Sequence, residues 1–184
     1  MKKDYEQLIS SYNGGDLDLS GCTIKKLELG AIEGNLNLSK CTIDNLSIGW
    51  VSQNLNLSGA DIKNINCAFD AASVDMSNTK IKKLPSHIYT GSLNLEKSNI
   101  TKLNTDIQTT VLNIRSTKIE QLPKNFRVHT LVVDSKTAKS LPLTTLNQCD
   151  ELNMDGRTYS AAGSYNFCSV CSDATSDNRE CACV

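Results

Sequence analysis

The chain is 184 residues long, 39% hydrophobic, 21% charged and 5% aromatic, with a formal charge of −1 from 19 basic and 20 acidic residues. That length fits one domain with an aliphatic core, and the charge balance argues against a strongly basic nucleic-acid binder or a strongly acidic DNA mimic. No apolar run approaches the ~20 residues needed to cross a bilayer, and Met1-Lys2-Lys3-Asp4 begins no apolar signal segment, so a cytoplasmic location is expected.

The first predicted element is a short helix. Tyr5, Leu8, Ile9 and Tyr12 fall at i, i+3, i+4 and i+7, one face of a helix over residues 3–12, and Gly14-Gly15 stops it. Residues 1–15 therefore read as an N-terminal cap.

A repeat organises residues 16–155. An apolar-x-apolar pair begins at Leu17, Leu36, Leu55, Val74, Leu93, Leu112 and Leu131, a constant step of 19 residues. Five positions after the second member of the pair comes Ile24, Ile43, Ile62, Ile81, Ile100 or Ile119, and three later Leu27, Leu46, Ile65, Leu84, Leu103 or Leu122. Leu152-Asn153-Met154 begins an eighth unit two residues late. Period-2 alternation within each pair predicts a strand with one face buried and one wet. A unit this short cannot enclose a core alone, so the units must stack in parallel, ~4.8 Å apart, as seven to eight coils of a β-solenoid. The return side of a 19-residue coil leaves room for a turn or second short strand, not for a good helix.

The stretches Val74 to Pro85, Leu112 to Pro123 and Leu131 to Pro142 carry the pattern Leu-x-Leu, small polar, x-Ile-x-x-Leu-Pro, which resembles short leucine-rich repeats of bacterial and phage type. The inward small residue of that family falls here on Cys22, Cys41, Ala60, Thr79, Ser98, Thr117 and Lys136. The first three units also read in fives, as in Leu55-Asn56-Leu57-Ser58-Gly59 followed by Ala60-Asp61-Ile62-Lys63-Asn64. This is similar to pentapeptide-repeat proteins, which wind as right-handed quadrilateral β-helices. Pro85, Pro123 and Pro142 sit where such a ladder needs donors. Both resemblances imply a mainly β parallel solenoid, and the choice between them stays open.

The exposed face of the main strand carries Asp18, Asn37, Asn56, Asp75, Asn94, Asn113, Val132 and Asn153 in one column, and Ser20, Ser39, Ser58, Ser77, Glu96, Arg115, Asp134 and Asp155 in another. Stacked amides support a sheet, but the surface changes character in the later units. Asn94, Glu96, Asn113, Arg115, Val132 and Asp134 are therefore the expected partner-binding residues. Lysines such as Lys25, Lys63, Lys80, Lys82 and Lys83 gather after the strand, as a solvated edge that discourages aggregation.

Residues 156–184 form a C-terminal cap and a cysteine-rich tail. Cys168, Cys171, Cys181 and Cys183 place four thiols within 16 residues, the ligand set of a structural zinc site, with free thiols or disulfides as alternatives. Cys22, Cys41, Cys67 and Cys149 read as core thiols. No phosphate loop is present, and His87 and His129 lie at different phases of the repeat, so no catalytic residue is assigned and no enzyme is expected. The expected function is a protein-protein interaction module; the resemblance implies a bacterial or phage factor that binds and inhibits a host protein. A β-helix nucleic-acid mimic inhibiting a DNA enzyme and a zinc-dependent regulator are the alternatives.

Overall fold

A computed structural model describes residues 4–103, 106–124, 126–146 and 148–160, with the backbone of 165–167 and 174–176. Helix α1 (Tyr5–Ser10) opens on Asp4, whose Oδ1 accepts the Gln7 N–H at 3.2 Å, an N-cap that satisfies one orphan donor. Tyr5, Leu8, Ile9 and Tyr12 lie against the first coil, as their spacing predicts. The Tyr12 hydroxyl donates to the Gly15 carbonyl at 3.0 Å and accepts from the Glu33 N–H at 3.1 Å, tying helix to coil.

The coils then stack as two walls. One wall contains β1 (Leu17–Asp18), β3 (Leu36–Asn37), β5 (Val51–Asn56), β7 (Phe69–Asp75), β8 (Ile88–Asn94), β9 (Ile107–Asn113), β10 (Val128–Val133) and β11 (Cys149–Met154), each parallel to the next. The register pairs Leu17 with Leu36, Leu36 with Leu55, Leu55 with Val74, and so on to Leu152. Successive 19-mers therefore superpose residue on residue, in about seven turns. The second wall is shorter: β2 (Thr23–Leu29), β4 (Thr42–Ile48) and β6 (Asp61–Ile65), again parallel. Between the walls lie the leucine and isoleucine columns with Phe69, nearly all inaccessible to water. Each such aliphatic side chain contributes roughly 1.5–3 kcal/mol on burial, so the core is the dominant stabilising term.

The corner between the walls is one repeated device. Leu19, Leu38 and Leu57 accept the N–H of Cys22, Cys41 and Ala60 in i→i+3 turns, and the third residue of each turn is left-handed. Gly21, Lys40, Gly59, Asn78, Lys97 and Ser116, spaced by 19, all have φ between 55 and 72°. This conformation aims the N–H at the coil ahead: Lys40 donates to the Ser58 carbonyl and Gly59 to that of Ser77, both at 2.8 Å. At the other corner the coils come close. A Cβ on Gly34 would lie 2.6 Å from the Gly15 carbonyl oxygen.

The second wall stops at β6 for a reason written in the chain. Asn66 closes that strand by donating to Leu46 at 2.9 Å. One coil on, Pro85 occupies the same place and has no N–H to give. Beyond Lys80, whose N–H reaches Ala60 at 3.2 Å, no further strand joins this wall after β6 among the described residues.

The last full coil departs from the expectation of a helix-free return. It is two residues longer, Leu131 pairing with Leu152, and carries α2 (Ser135–Ser140) and α3 (Leu143–Leu146). Asp134 caps α2 by accepting the Thr137 N–H at 2.7 Å, and Thr137 and Ala138 face inward. Lys136, at the inward position of the repeat, is instead exposed, and Thr137 takes that role by accepting the Ser116 N–H at 3.1 Å. The chain then reverses through Asp155 and Gly156, both left-handed, into β12 (Arg157–Ser160), antiparallel to β11. A separate antiparallel pair, β13 (Tyr165–Phe167) and β14 (Ala174–Ser176), follows.

Candidate binding surface

The strands of the long wall bend, and the bend makes a trough. In β7 the side chains run Phe69 in, Asp70 out, Ala71 in, Ala72 out, Ser73 half-buried, Val74 in, so the phase slips at Ala72. The same slip recurs at Gly91 in β8 and Thr110 in β9. Inside the bend, Thr90 donates to the Ser92 carbonyl at 3.1 Å and Thr109 to that of Val111 at 2.9 Å. Outside it, Ala72 and Gly91 offer almost no side-chain bulk, and Thr110 only a short side chain. The result is an open trough of about 700 Å³ running across successive strands.

Two aromatic rings stand on its border. Trp50 is 48% and Tyr89 62% exposed, the exposed large hydrophobic side chains of the described residues. They share one outward column. Asp70 pairs with Tyr89 and Tyr89 with Gln108, while Trp50 precedes Val51 as Asp70 precedes its partner Ala71. Trp50 and Tyr89 are thus two strand spacings apart, roughly 10 Å along the axis, with the Asp70 carboxylate between them and the Gln108 amide beyond. Rings on a low floor can clasp an inserted side chain or stack on a flat group, and the carboxylate and amide can orient it.

The six residues expected to bind a partner lie at and just beyond the C-terminal ends of β8, β9 and β10 on the same wall. The Asn94 Nδ2 donates to Asp75 at 3.1 Å, and that of Asn113 donates to Asn94 at 2.9 Å. Both asparagines also accept, through Oδ1, the N–H two residues on, that of Glu96 and Arg115. The same bond caps the strand end at Asp18, Asn37, Asn56 and Asp75. The column is therefore a ladder of strand-ending turns. Glu96 and Arg115 pair at 3.0 Å. Burial would raise the Glu96 pKa, but hydrogen bonds from Lys97 and Asn113 and the charges of Arg115 and Lys97 outweigh it and hold the carboxyl below its usual range. Val132 is half-buried, paired in register with Asn113 and Asn153. Asp134 caps α2 and accepts the Ser116 hydroxyl at 2.7 Å. The structure thus brings the six together, with their polar groups largely engaged by one another.

A second such ladder runs beside the first. Asp16 accepts both the backbone and side-chain N–H of Asn35, at 2.7 and 2.9 Å, and Asn35 does the same for Asn54. The donors of Asn35 lower the Asp16 pKa.

Sequence reasoning passed over Trp50 and Tyr89. The signal was available: each is an aromatic residue at an outward phase of the repeat, where other coils carry Ala31, Asp70, Gln108 and Arg127. Among the other candidates, Cys41 is a core thiol whose Sγ donates to the Leu19 carbonyl at 3.0 Å, and burial raises its pKa. Cys67 is half-buried and raised for the same reason. Cys168, Cys171, Cys181 and Cys183 lie outside the described residues. Among the described residues no three ligating side chains converge, and no helix is long and apolar enough to cross a membrane.

Compared with known families, residues 1–111 match the family model described as Toastrack DUF4097. No curated protein and no solved structure matches the chain.

Proposed function

This chain belongs to the Toastrack DUF4097 family, a domain of unknown function, and from that premise we propose that it is a non-enzymatic protein-binding module. The observation that carries the reading is the exposed pair Trp50 and Tyr89 beside the trough floored by Ala72, Gly91 and Thr110. Trp and Tyr dominate the hot spots of protein interfaces, because each buries a large rigid surface at little cost in side-chain entropy. A partner side chain enters the trough between the rings, and Asp70 and Gln108 orient it. Asn94, Glu96, Asn113, Arg115, Val132 and Asp134 form the polar rim of the same wall, pre-ordered by their own hydrogen bonds. A solenoid suits this task because its stacked strands form one extended rigid face. The irregular returns of the later coils support the likeness to leucine-rich repeats, and the two-walled first coils support the likeness to β-helices.

Trp50 is the only tryptophan in the chain, so its emission reports on the trough directly. A photo-crosslinker placed at Tyr89 in the native host should yield a partner adduct, while the same group at Lys25 should not. Adding that purified partner should shift Trp50 emission to the blue. Tyr89→Ala should weaken the partner's affinity by roughly tenfold or more without changing the melting temperature. Unchanged affinity in Tyr89→Ala overturns the trough. Loss of affinity on Arg115→Glu with Val132→Asp, but not on Tyr89→Ala, would move the interface to the rim.

A further inference from the structure

Among the described residues the trough has one charged side chain in its lining, Asp70, with an aromatic ring on either side of it. Asp70 is exposed on β7, and its carboxylate forms no ion pair among the described residues. On one side stands Trp50, beside Asp70 as Val51 stands beside Ala71. On the other stands Tyr89, paired with Asp70 in register. At the backbone each aromatic residue is one strand spacing, about 4.8 Å, from Asp70. Further along the column come Gln108 and then Arg127, the latter three spacings or roughly 14 Å from Asp70. That exceeds the screening length of about 10 Å at moderate salt, so Arg127 leaves the Asp70 charge unanswered.

We infer that an arginine side chain of the protein partner occupies this place, its guanidinium between the two rings and over the Asp70 carboxylate. The inference rests on the trough being the binding surface and adds what the trough selects. A cation is attracted to an aromatic face within about 6 Å of the ring centre, and a group midway between side chains roughly 10 Å apart lies about 5 Å from each. That midpoint is above Asp70. An apolar side chain there would strip water from the carboxylate and return no bond, and an acidic one would be repelled. A neutral sugar would stack on either ring yet leave the charge unmatched. Lysine carries a compact, strongly hydrated charge, whereas a guanidinium is flat, stacks on aromatic faces and sends two parallel N–H groups to one carboxylate. Ala72 and Gly91, in the same lining, leave room for the aliphatic stem of the arginine.

The test uses the full chain, with Trp50 emission as the readout. The probes are capped pentapeptides with arginine, lysine or citrulline between paired glycines, titrated at low salt. Citrulline keeps the flat group and removes the charge. A saturable change in emission is expected with the arginine peptide in about the millimolar range, and binding about tenfold weaker or less with the other two. Asp70→Asn, an exposed change that should leave the melting temperature as it is, should reduce the arginine affinity to that of citrulline. Equal affinities for arginine and citrulline overturn the proposal, leaving stacking alone, and equal affinities for arginine and lysine overturn it by leaving a site for any cation. Absence of a saturable response to the arginine peptide overturns it too, and a response to cellopentaose in its place assigns the rings to a saccharide. The natural partner separates this proposal from the reading beneath it. Loss of its affinity in Tyr89→Ala but not in Asp70→Asn keeps the trough and overturns the arginine, whereas loss in neither overturns both.

Discussion

Lys40 occupies a conformation that a glycine would adopt freely. Its φ of 56° matches those of Gly21 and Gly59, one coil behind and one ahead, because all three must aim an N–H at the next coil. An L-residue in that region costs about 1–2 kcal/mol, and glycine's extra freedom in the unfolded chain gives back part of the relief. Lys40→Gly should therefore stabilise the protein by about 0.5–1 kcal/mol, a rise of about 1–3 °C in thermal melting for a chain of this size. Gly59→Lys should lower the melting temperature by a similar amount. Only two of the six corner positions announce themselves as glycine; at Lys97 the N–H bond to the Arg115 carbonyl, and at Ser116 the N–H bond to the Thr137 hydroxyl, override local preference, so the turn is invisible in composition.

Single elements show where the periodicity was informative and where it was silent. The leucine column fixes register and pairing throughout the long wall, because a slip of one residue would turn every core side chain outward. Pro85 marked the failure of the second wall, since a missing donor is a property of the residue itself. Helix α2 was not legible: it depends on two added residues and on Asp134 serving as a cap, and neither has a periodic signature. The trough was hidden for a related reason. The register shifts between Val51 and Asn54, so Val51 pairs 20 residues ahead with Ala71, and Trp50 falls out of step with the column it joins.

The ladder at Asn94, Glu96 and Arg115 also predicts a response to acid. A carboxyl held below its ordinary pKa in the folded state adds stability above that ordinary value and loses it as pH falls through the folded one. Glu96, normally near 4.5, is lowered in this way, as is Asp134, normally near 3.8, where the Thr137 N–H and the Ser116 hydroxyl outweigh burial. The melting temperature should hold at neutral pH and fall once the pH drops below about 4.5. In Glu96→Gln the fall should be shallower. Equal slopes in the two proteins would show that Glu96 is no better held folded than unfolded.

At the scale of the whole molecule, each coil touches chiefly its two neighbours, and stability becomes a sum over coils and the contacts between them. Removing residues 93–111, one complete step of 19, joins Ser92 to Leu112 in the register that Leu93 had. That deletion should yield a folded monomer with a β-rich circular-dichroism spectrum and a modestly lower melting temperature. Removing ten residues from the same place, which throws the core columns out of phase, should abolish cooperative melting.

Nothing in a stack of like layers limits its own number. At one end the tyrosine-bearing helix lies across the first coil, and at the other β12 runs backwards along β11, so the last strand of the long wall has the opposite polarity to the rest. A layer from another molecule, wound like those beneath it, would find its parallel bonding pattern refused. That single reversal separates a particle of fixed length from the beginning of a fibre.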